Sequence, residues 1–421
     1  MINKIRRLFN TEDKKRLFSN FLSLSILQGA NYILPLLTLP YLVRVLGPEK
    51  FGLIMFAQAF VQYFVILTDY GFNLSATREI SIHRDNKEKV SEIFSSVMII
   101  KFSLLIISFI ILTLIVFSFE KFRKDWLIYY LTFGMVVGQV LFPIWFFQGI
   151  EKMKYITFLN ILAKSIFTIA IFVFVHKISD YIYVPLLNSL GFIIAGILAL
   201  WIVFKDFGIR GYIPNLKALT QYLKESTQFF LSRISISIYT FTNTFVLGLF
   251  TNNTMVGYYS IAEKLYIALQ QIYQPIVNTL YPYVAHAKNI SLYKKIFKLV
   301  NLTNVIVVII LFLLANVVIN TIFGEGLNTS VNIFRILLIS AVIVVPSILL
   351  GYPFLAALGY AKYANMSVVL GSLIHLSGLG ILYLTNMINI YTVAIMVVIT
   401  ETFVLSIRLF GVIKNKLWRI A

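Results

Sequence analysis

Apolar stretches of about twenty residues recur from one end of this chain to the other. That length crosses ~30 Å of hydrocarbon as a helix, and in hydrocarbon only helices and closed barrels satisfy their own backbone groups. The stretches are too long and too unalternating for barrel strands, which run ~10 residues with period two. Only 13% of the 421 residues are charged, roughly half the fraction of a soluble domain. The sequence therefore predicts an all-α polytopic membrane protein of about twelve transmembrane helices. The spans fall near residues 17–41, 51–70, 93–118, 126–149, 155–176, 181–204, 226–250, 256–283, 296–321, 330–358, 363–384 and 389–413.

Connections between spans alternate between basic and nearly neutral. Lys4, Arg6, Arg7, Lys14, Lys15 and Arg16 precede span 1. Arg78, Arg84, Lys87 and Lys89 follow span 2, and Lys152, Lys154, Lys205, Arg210, Lys217 and Lys224 continue the same side. So do Lys288, Lys294, Lys295, Lys298, Lys362 and the tail residues Arg408, Lys414, Lys416 and Arg419. The opposite side carries only Arg44, Lys50, Lys121, Arg123, Lys124 and Lys177. The excess places both termini in the cytoplasm, and the chain is expected in the cytoplasmic, or inner, membrane. The start, "MINKIRRLFNTEDKKRLF", lacks a small-residue cleavage site and reads as an amphipathic helix on the membrane surface. The net charge of +19 is thus an orientation signal and a grip on anionic lipid, not a nucleic-acid surface.

Cysteine is absent, so disulfide, thiol and cysteine-metal chemistry are excluded. His83, His176, His286 and His375 show no ligand spacing, and no metal or cofactor is expected. The outer connections, such as "TNNT", "FGEG" and "TNMIN", are short. Any activity must lie in the bundle or at its mouths.

The two halves look alike. Gly52 with Ala57-Gln58 aligns with Gly257 with Ala262-Glu263, as in transporters built from parallel repeats. The expected organisation is an N-terminal six-helix lobe over 1–210, with its amphipathic start, and a C-terminal six-helix lobe over 211–421.

Polar residues sit where hydrocarbon should be. Span 8, "YYSIAEKLYIALQQIYQPIVNTLYP", carries Tyr259, Glu263, Tyr266, Gln270, Tyr273 and Asn278 on one broad face, with Lys264 and Gln271 beside it and Gln274 further along. Such a face avoids lipid and turns to other helices or to water. Pro275 is expected to kink the helix. Span 7 adds Arg233, Ser237, Tyr239, Thr240, Asn243 and Thr244, and span 1 adds Ser23, Gln28, Asn31 and Pro35. Lys164 lies within span 5, Arg335 near one end of span 10, His375 within span 11 and Glu401 within span 12. Each has a plainer reading. Arg335 snorkels to the interface, Lys164 pairs with a carboxylate, His375 is packed and hydrogen-bonded, Asp69 caps span 2, and Glu401 pairs with Arg408. Against three acids (Asp69, Glu263, Glu401) the cations are in surplus, and a cavity of that kind suits an anion.

Four stretches carry a resemblance: "LPYLVRVLGPEKFGLIMFAQAF", "TDYGFNLSATREIS", "LFPIWFFQGIEKMKYIT" and "VGYYSIAEKLYIALQQIYQPIVNTLYPYVA". With them nearly the whole chain resembles the Wzx-type O-antigen and capsule repeat-unit flippases, polysaccharide transporters of the MATE-like multidrug/oligosaccharidyl-lipid/polysaccharide superfamily. The resemblance implies a two-lobed, V-shaped, pseudo-twofold bundle of twelve helices with a central cavity, and no enzymatic step. It implies a cargo of undecaprenyl-diphosphate-linked oligosaccharide moved from inner to outer leaflet by alternating access, coupled to a proton or sodium ion. Further implied partners are membrane lipids and the polymerase and chain-length machinery that take the product. A diphosphate calls for cations in a low-dielectric cavity, and sugars call for amides, hydroxyls and aromatic faces.

The expected cavity residues are Arg233, Lys264, Lys164, Gln28, Asn31, Tyr239, Asn243, Tyr259, Tyr266, Gln270 and Gln274. Relatives that flip cell-wall precursor use arginines in span 1 and spans 7–8; Arg233 matches, whereas span 1 has only Arg44 at its outer end. Arg78, Glu79, Gln148, Glu151 and Lys152 form either a cytoplasmic gate or a structural charge cluster. Glu263, Asp69 and Glu401 are the candidate coupling carboxylates. The competing readings are a drug or cation antiporter, which would favour an acidic cavity, a polysaccharide polymerase, which would need a sizeable outer loop, and a structural scaffold.

Overall fold

The computed structural model describes residues 12–418. Within that range, some side chains in the stretches 12–36 and 232–240, and that of Ala287, fall outside the described set, and the amphipathic start before residue 12 lies outside it altogether. Among the described residues the regular structure is all helix, with no strand. The helices are α1 (Glu12–Asp69), α2 (Phe72–His83), α3 (Lys87–Ser118), α4 (Glu120–Arg123), α5 (Trp126–Leu141), α6 (Ile144–Gly149), α7 (Met153–Phe174) and α8 (Tyr183–Lys205). They continue as α9 (Leu216–Phe250), α10 (Asn253–Gln271), α11 (Gln274–Ala287), α12 (Ile290–Leu313), α13 (Ala315–Phe323), α14 (Asn328–Leu350), α15 (Ala361–Leu384) and α16 (Ile390–Lys414). Every expected span falls on helix. Among the described residues, nine helical segments are long and apolar enough to cross a membrane by length and composition. α10 is not among them, because its polar face dilutes its hydropathy.

Local chemistry sets the ends. Asn86, Asn252, Asn289 and Asn389 each accept a bond from a backbone N–H in the first turn of the helix that follows, satisfying donors that a helix start leaves unpaired. Gly47 breaks α1 into two arms, with φ 69° and ψ 170°, a region open to glycine. Pro143 separates α5 from α6, and Phe142 before it is extended, as the residue preceding proline prefers. The kink expected in span 8 is a full break at Ile272–Tyr273, after which Pro275 stands in the first turn of α11, where its missing N–H costs nothing. Beyond Pro346, α14 gives way to a π-helical turn over Gly351–Ala356.

The chain divides into two compact units. The first comprises Met1–Leu46 and Ala57–Ile234; the second comprises Gly47–Phe56 and Ser235–Ala421. Gly47–Phe56 thus belongs to the second unit and the first part of α9 to the first.

In the first unit, the first arm of α1 runs parallel to α7 in constant register. Asn20 accepts from the Met153 N–H (3.3 Å), the Ser23 carbonyl accepts from Thr157 (2.8 Å), Asn31 accepts from Lys164 (2.7 Å), and Tyr41 donates to the Val175 carbonyl (2.6 Å). An aromatic core of Phe72, Phe94, Phe142, Trp145, Phe146 and Phe147 binds α2, α3 and α6. The start of α9 closes on it, with Ser75 bonded to Ser226 at 2.6 Å and Tyr70 stacked on Phe230 at 4.4 Å.

The second unit repeats the arrangement. α9 and α15 meet through Asn243 and His375 (2.8 Å) and through the rings of Phe250 and Tyr383 (5.0 Å). The sequence separation across these pairs matches that between α1 and α7. Gly52 and Gly257, the glycines aligned between the halves, also meet inside this unit. A Cβ on Gly52 would overlap the carbonyl oxygen of Asn253, and one on Gly257 would overlap that of Pro48. Pro48 and Asn253 are equivalent under the same alignment, so the contact repeats itself when equivalent residues are exchanged. That reciprocity marks a local pseudo-twofold axis, and the backbone approach explains why glycine stands at both places.

Candidate functional site

In the first unit, α1 and α7 bring Lys164 and Asn31 together. The Lys164 ammonium donates to the Asn31 side-chain oxygen, a neutral partner, and no carboxylate pairs with it among the described residues. The anticipated partner acid is absent from this site. Gln28 lies three residues earlier on the same arm and is exposed. Asp69 is buried at the end of α1 and acts electrostatically on Lys101, which is only 4% exposed on α3.

The two inner motifs pack on each other as α2 and α6. Thr77 donates to the Trp145 carbonyl (3.2 Å) and to the Gln148 amide oxygen (3.3 Å), and Arg84 stands 3.4 Å from Glu151. A Cβ on Gly149 would strike Ile80. Glu79 carries His83, whose Nδ1 lies 2.9 Å from the Glu79 carbonyl and 4.0 Å from its carboxylate. Arg78 and Lys152 point to solvent. Gln148 and Glu151 are therefore held within one unit, and Arg78 and Lys152 are the members of the cluster that remain exposed.

In the second unit, His375 is fully buried with both ring nitrogens engaged: Nδ1 at 2.9 Å from the Thr400 hydroxyl and Nε2 at 2.8 Å from Asn243 Oδ1. The chain of bonds continues. Tyr259 is bonded to Asn243 and to Glu263, and Thr244 donates to Glu263 at 3.1 Å. This network ends in a chamber of about 160 Å³ lined by Asn243, Tyr259, Glu263, Tyr266, Gln270 and Glu401, among others. The α10 residues among them (Tyr259, Glu263, Tyr266 and Gln270) are the polar face read from span 8, and Tyr266 is tied to Ser340 of α14 at 2.9 Å. Lys264 lies about 100° round the helix from Glu263. It does not line this chamber, although its charge acts on the carboxylate. Gln274 is half-buried past the helix break.

A second chamber, of about 180 Å³, shares Gln270 and Glu401 with the first and adds Ser347, Ser372 and Arg408. Arg408 was expected among the cytoplasmic tail charges; instead it is 8% exposed inside α16. Its Nε donates to Ser367 (2.9 Å) and its Nη1 to the carbonyl and hydroxyl of Ser347 (2.6 and 3.1 Å). That carbonyl lies in the last turn of α14, where it also accepts from the Gly351 N–H, so Arg408 uses its second lone pair. Arg408 and Lys101 were not picked out as site residues. Each sits near a span end or among apolar neighbours, and only packing shows it turned inward. The side chains of Arg233 and Tyr239 lie outside the described residues.

Both chambers are well below the ~300–1,000 Å³ of small-molecule sites. They are sized for a few water molecules or a small ion, not for a sugar. No cluster of three or more histidine, aspartate or glutamate side chains suited to a metal occurs among the described residues.

Known proteins place the chain. The profile described as "Polysaccharide biosynthesis protein" matches residues 17–288. A protein of Escherichia coli (strain K12) named "Putative O-antigen transporter" is 33% identical over 411 residues, covering 96% of this chain and 99% of that protein. One of Shigella dysenteriae with the same name is 31% identical over 265 residues, 62% of this chain and 66% of that protein. Among solved structures, the lipid II flippase MurJ in an inward closed conformation gives a TM-score of 0.71 at 14% identity, covering 96% of this chain and 89% of that one. An inward-facing multidrug resistance MATE family transporter of the MOP superfamily gives 0.69 at 15%, covering 96% and 99%. Those identities carry the fold alone: a MATE-like all-α membrane bundle of two six-helix lobes. By profile and by full-length identity together, this chain belongs to the polysaccharide biosynthesis protein family.

Proposed function

We propose that this protein is a flippase. It carries undecaprenyl-diphosphate-linked oligosaccharide repeat units from the inner to the outer leaflet of the cytoplasmic membrane, with both of its own termini in the cytoplasm. One observation carries the choice of cargo: Lys164 sits within a membrane span, held by the neutral amide of Asn31 and paired with no carboxylate. A cation at that depth is costly unless something neutralises it, and a diphosphate does so with charge-assisted bonds. A cation-exporting relative would place an acid there. The names of these relatives, which refer to O-antigen transport, agree with a saccharide-bearing cargo.

The second unit supplies the coupling in this reading. Glu263 and Glu401 share a chamber too small for cargo and large enough for water, and Tyr259 and Thr244 hold Glu263 in place. Taking up a proton or a sodium ion at this pair removes buried negative charge and changes how α10 packs on α16. Asp69, answered by Lys101, is the weaker coupling candidate. Arg233, Lys264, Gln28, Gln270, Gln274 and Tyr239 remain cargo-facing proposals, and Arg78 with Lys152 an inner access point. The polymerase and chain-length machinery follow as partners that receive the product.

The test deletes the gene and follows the lipid-linked repeat unit. A lectin or glycosidase is applied to spheroplasts. Complete units should accumulate out of reach on the inner face, and the protein should restore access. Single units that reach the outside without it, with only chain growth failing, would hand the function to a polymerase.

A further inference from the structure

On the face of α14 turned away from both chambers lies a different kind of site. Leu337, Val344, Ser347 and Ile348 look into the chambers. Arg335, Ile339, Val342 and Ile343 follow one another at steps of three, four or one residue and share the opposite face, as helical periodicity requires. With Val308, Ile309, Phe312 and Leu313 of α12, the three apolar residues line an open groove of about 310 Å³ whose walls are almost wholly apolar. Arg335 stands at one end. Its Nε donates to the Phe312 carbonyl (3.3 Å), and its guanidinium lies 5.5 Å from the Phe312 ring centre. That carbonyl belongs to the last turn of α12, where helical oxygens have no partner of their own. No carboxylate pairs with Arg335 among the described residues.

We infer that this groove holds one acyl chain of a resident anionic phospholipid, with the lipid phosphate on Arg335. Three observations converge on that occupant. The groove is apolar and open at the side, so it suits a chain and not a sugar. Its one polar end carries an uncompensated cation that can offer a phosphate two parallel N–H donors. The chambers lie on the other face of the same helix and share no lining residue with the groove, so the groove is a site separate from them. In the proposed orientation α12 ends and α14 begins on the outer side, which puts the phosphate in the outer leaflet. The site rests on that orientation but not on flippase activity.

The experiment purifies the full-length protein into nanodiscs containing phosphatidylglycerol and phosphatidylcholine, then counts retained lipid by native mass spectrometry. Wild type should keep one phosphatidylglycerol that resists delipidation. Val342→Trp, which fills the groove, and Arg335→Gln should each lower retention at least fivefold. Ile395→Trp, on the exposed face of α16, should not. Thermal unfolding of each variant controls for folding, and Ile339→Trp replaces Val342→Trp if the latter fails to fold. Equal retention in all variants overturns the site. Loss with Arg335→Gln alone overturns the groove, leaving only a head-group contact. Displacement by undecaprenyl phosphate at equimolar concentration overturns the phospholipid and assigns the groove to the cargo's chain.

Discussion

Lys164 with Asn31, and His375 with Asn243, join the same pair of helices in the two halves, about two turns apart under the alignment of Gly52 with Gly257. In each, an asparagine on the first helix of the repeat accepts a bond from a nitrogen on the fifth. The chemistry then diverges. Lys164 has a single neutral partner and a charge left over. His375 has both nitrogens satisfied by neutral partners and sits at the head of a bonded chain that runs through Tyr259 to Glu263. One kind of helix pair thus supports a cation on a neutral amide in the first half and a closed polar network, at a different level, in the second. The comparison teaches that the same helix pairing can carry different bonding chemistry in the two units.

The sharpest way to break this comparison is Lys164→Gln. If the cation serves an anionic cargo, removing a charged hydrogen bond of about 1.5–3 kcal/mol should slow appearance of repeat units on the outer face by roughly tenfold or more. Lys164→Arg should retain most of the rate at equal membrane abundance. Next comes Glu263→Gln, expected to lower gradient-driven transport several-fold in proteoliposomes while leaving binding of the lipid-linked oligosaccharide intact. An unchanged response to an imposed gradient would remove Glu263 from the coupling role. The repeat itself is tested by Gly52→Ala and Gly257→Ala. Each should destabilise by up to about 3 kcal/mol through overpacking against a backbone oxygen, and the two should match if the contact is truly reciprocal. The smallest expected effect separates the two asparagine pairs. His375→Ala leaves buried partners at Asn243 and Thr400 and should cost about 2 kcal/mol, against about 1 kcal/mol for Asn31→Ala in the half-buried pair. Equal losses in thermal unfolding would mean the two sites are not as different as their bonding implies.

Much of this was legible without coordinates. The polar face of span 8 could be read from spacing alone, because a helix fixes which residues share a side, and Glu263, Tyr259, Tyr266 and Gln270 do line one chamber. The pairing of Gly52 with Gly257 was visible as an alignment, but not that the two touch. Lys164 was visible as a buried cation; its partner was expected to be an acid and is an amide, since a partner on a distant helix leaves no trace in local sequence. Arg408 was misplaced for a related reason. It lies near the end of the last span among tail charges, where periodicity and charge counting say cytoplasm, and only packing brings it onto the Ser347 carbonyl and the Ser347 and Ser367 hydroxyls.

The sequence by itself determined the class of fold: apolar length, cation asymmetry and turn residues leave a helical membrane bundle as the one arrangement that satisfies every backbone group in hydrocarbon. It also determined which residues are out of place there. Tertiary structure alone decided what each of those residues meets. Lys164 finds an amide, His375 a hydroxyl and an amide, Arg408 a serine's carbonyl and hydroxyl, and Arg335 an apolar groove. A buried polar group takes its meaning from partners more than a hundred residues away or on a neighbouring helix, and only packing brings them within 3 Å.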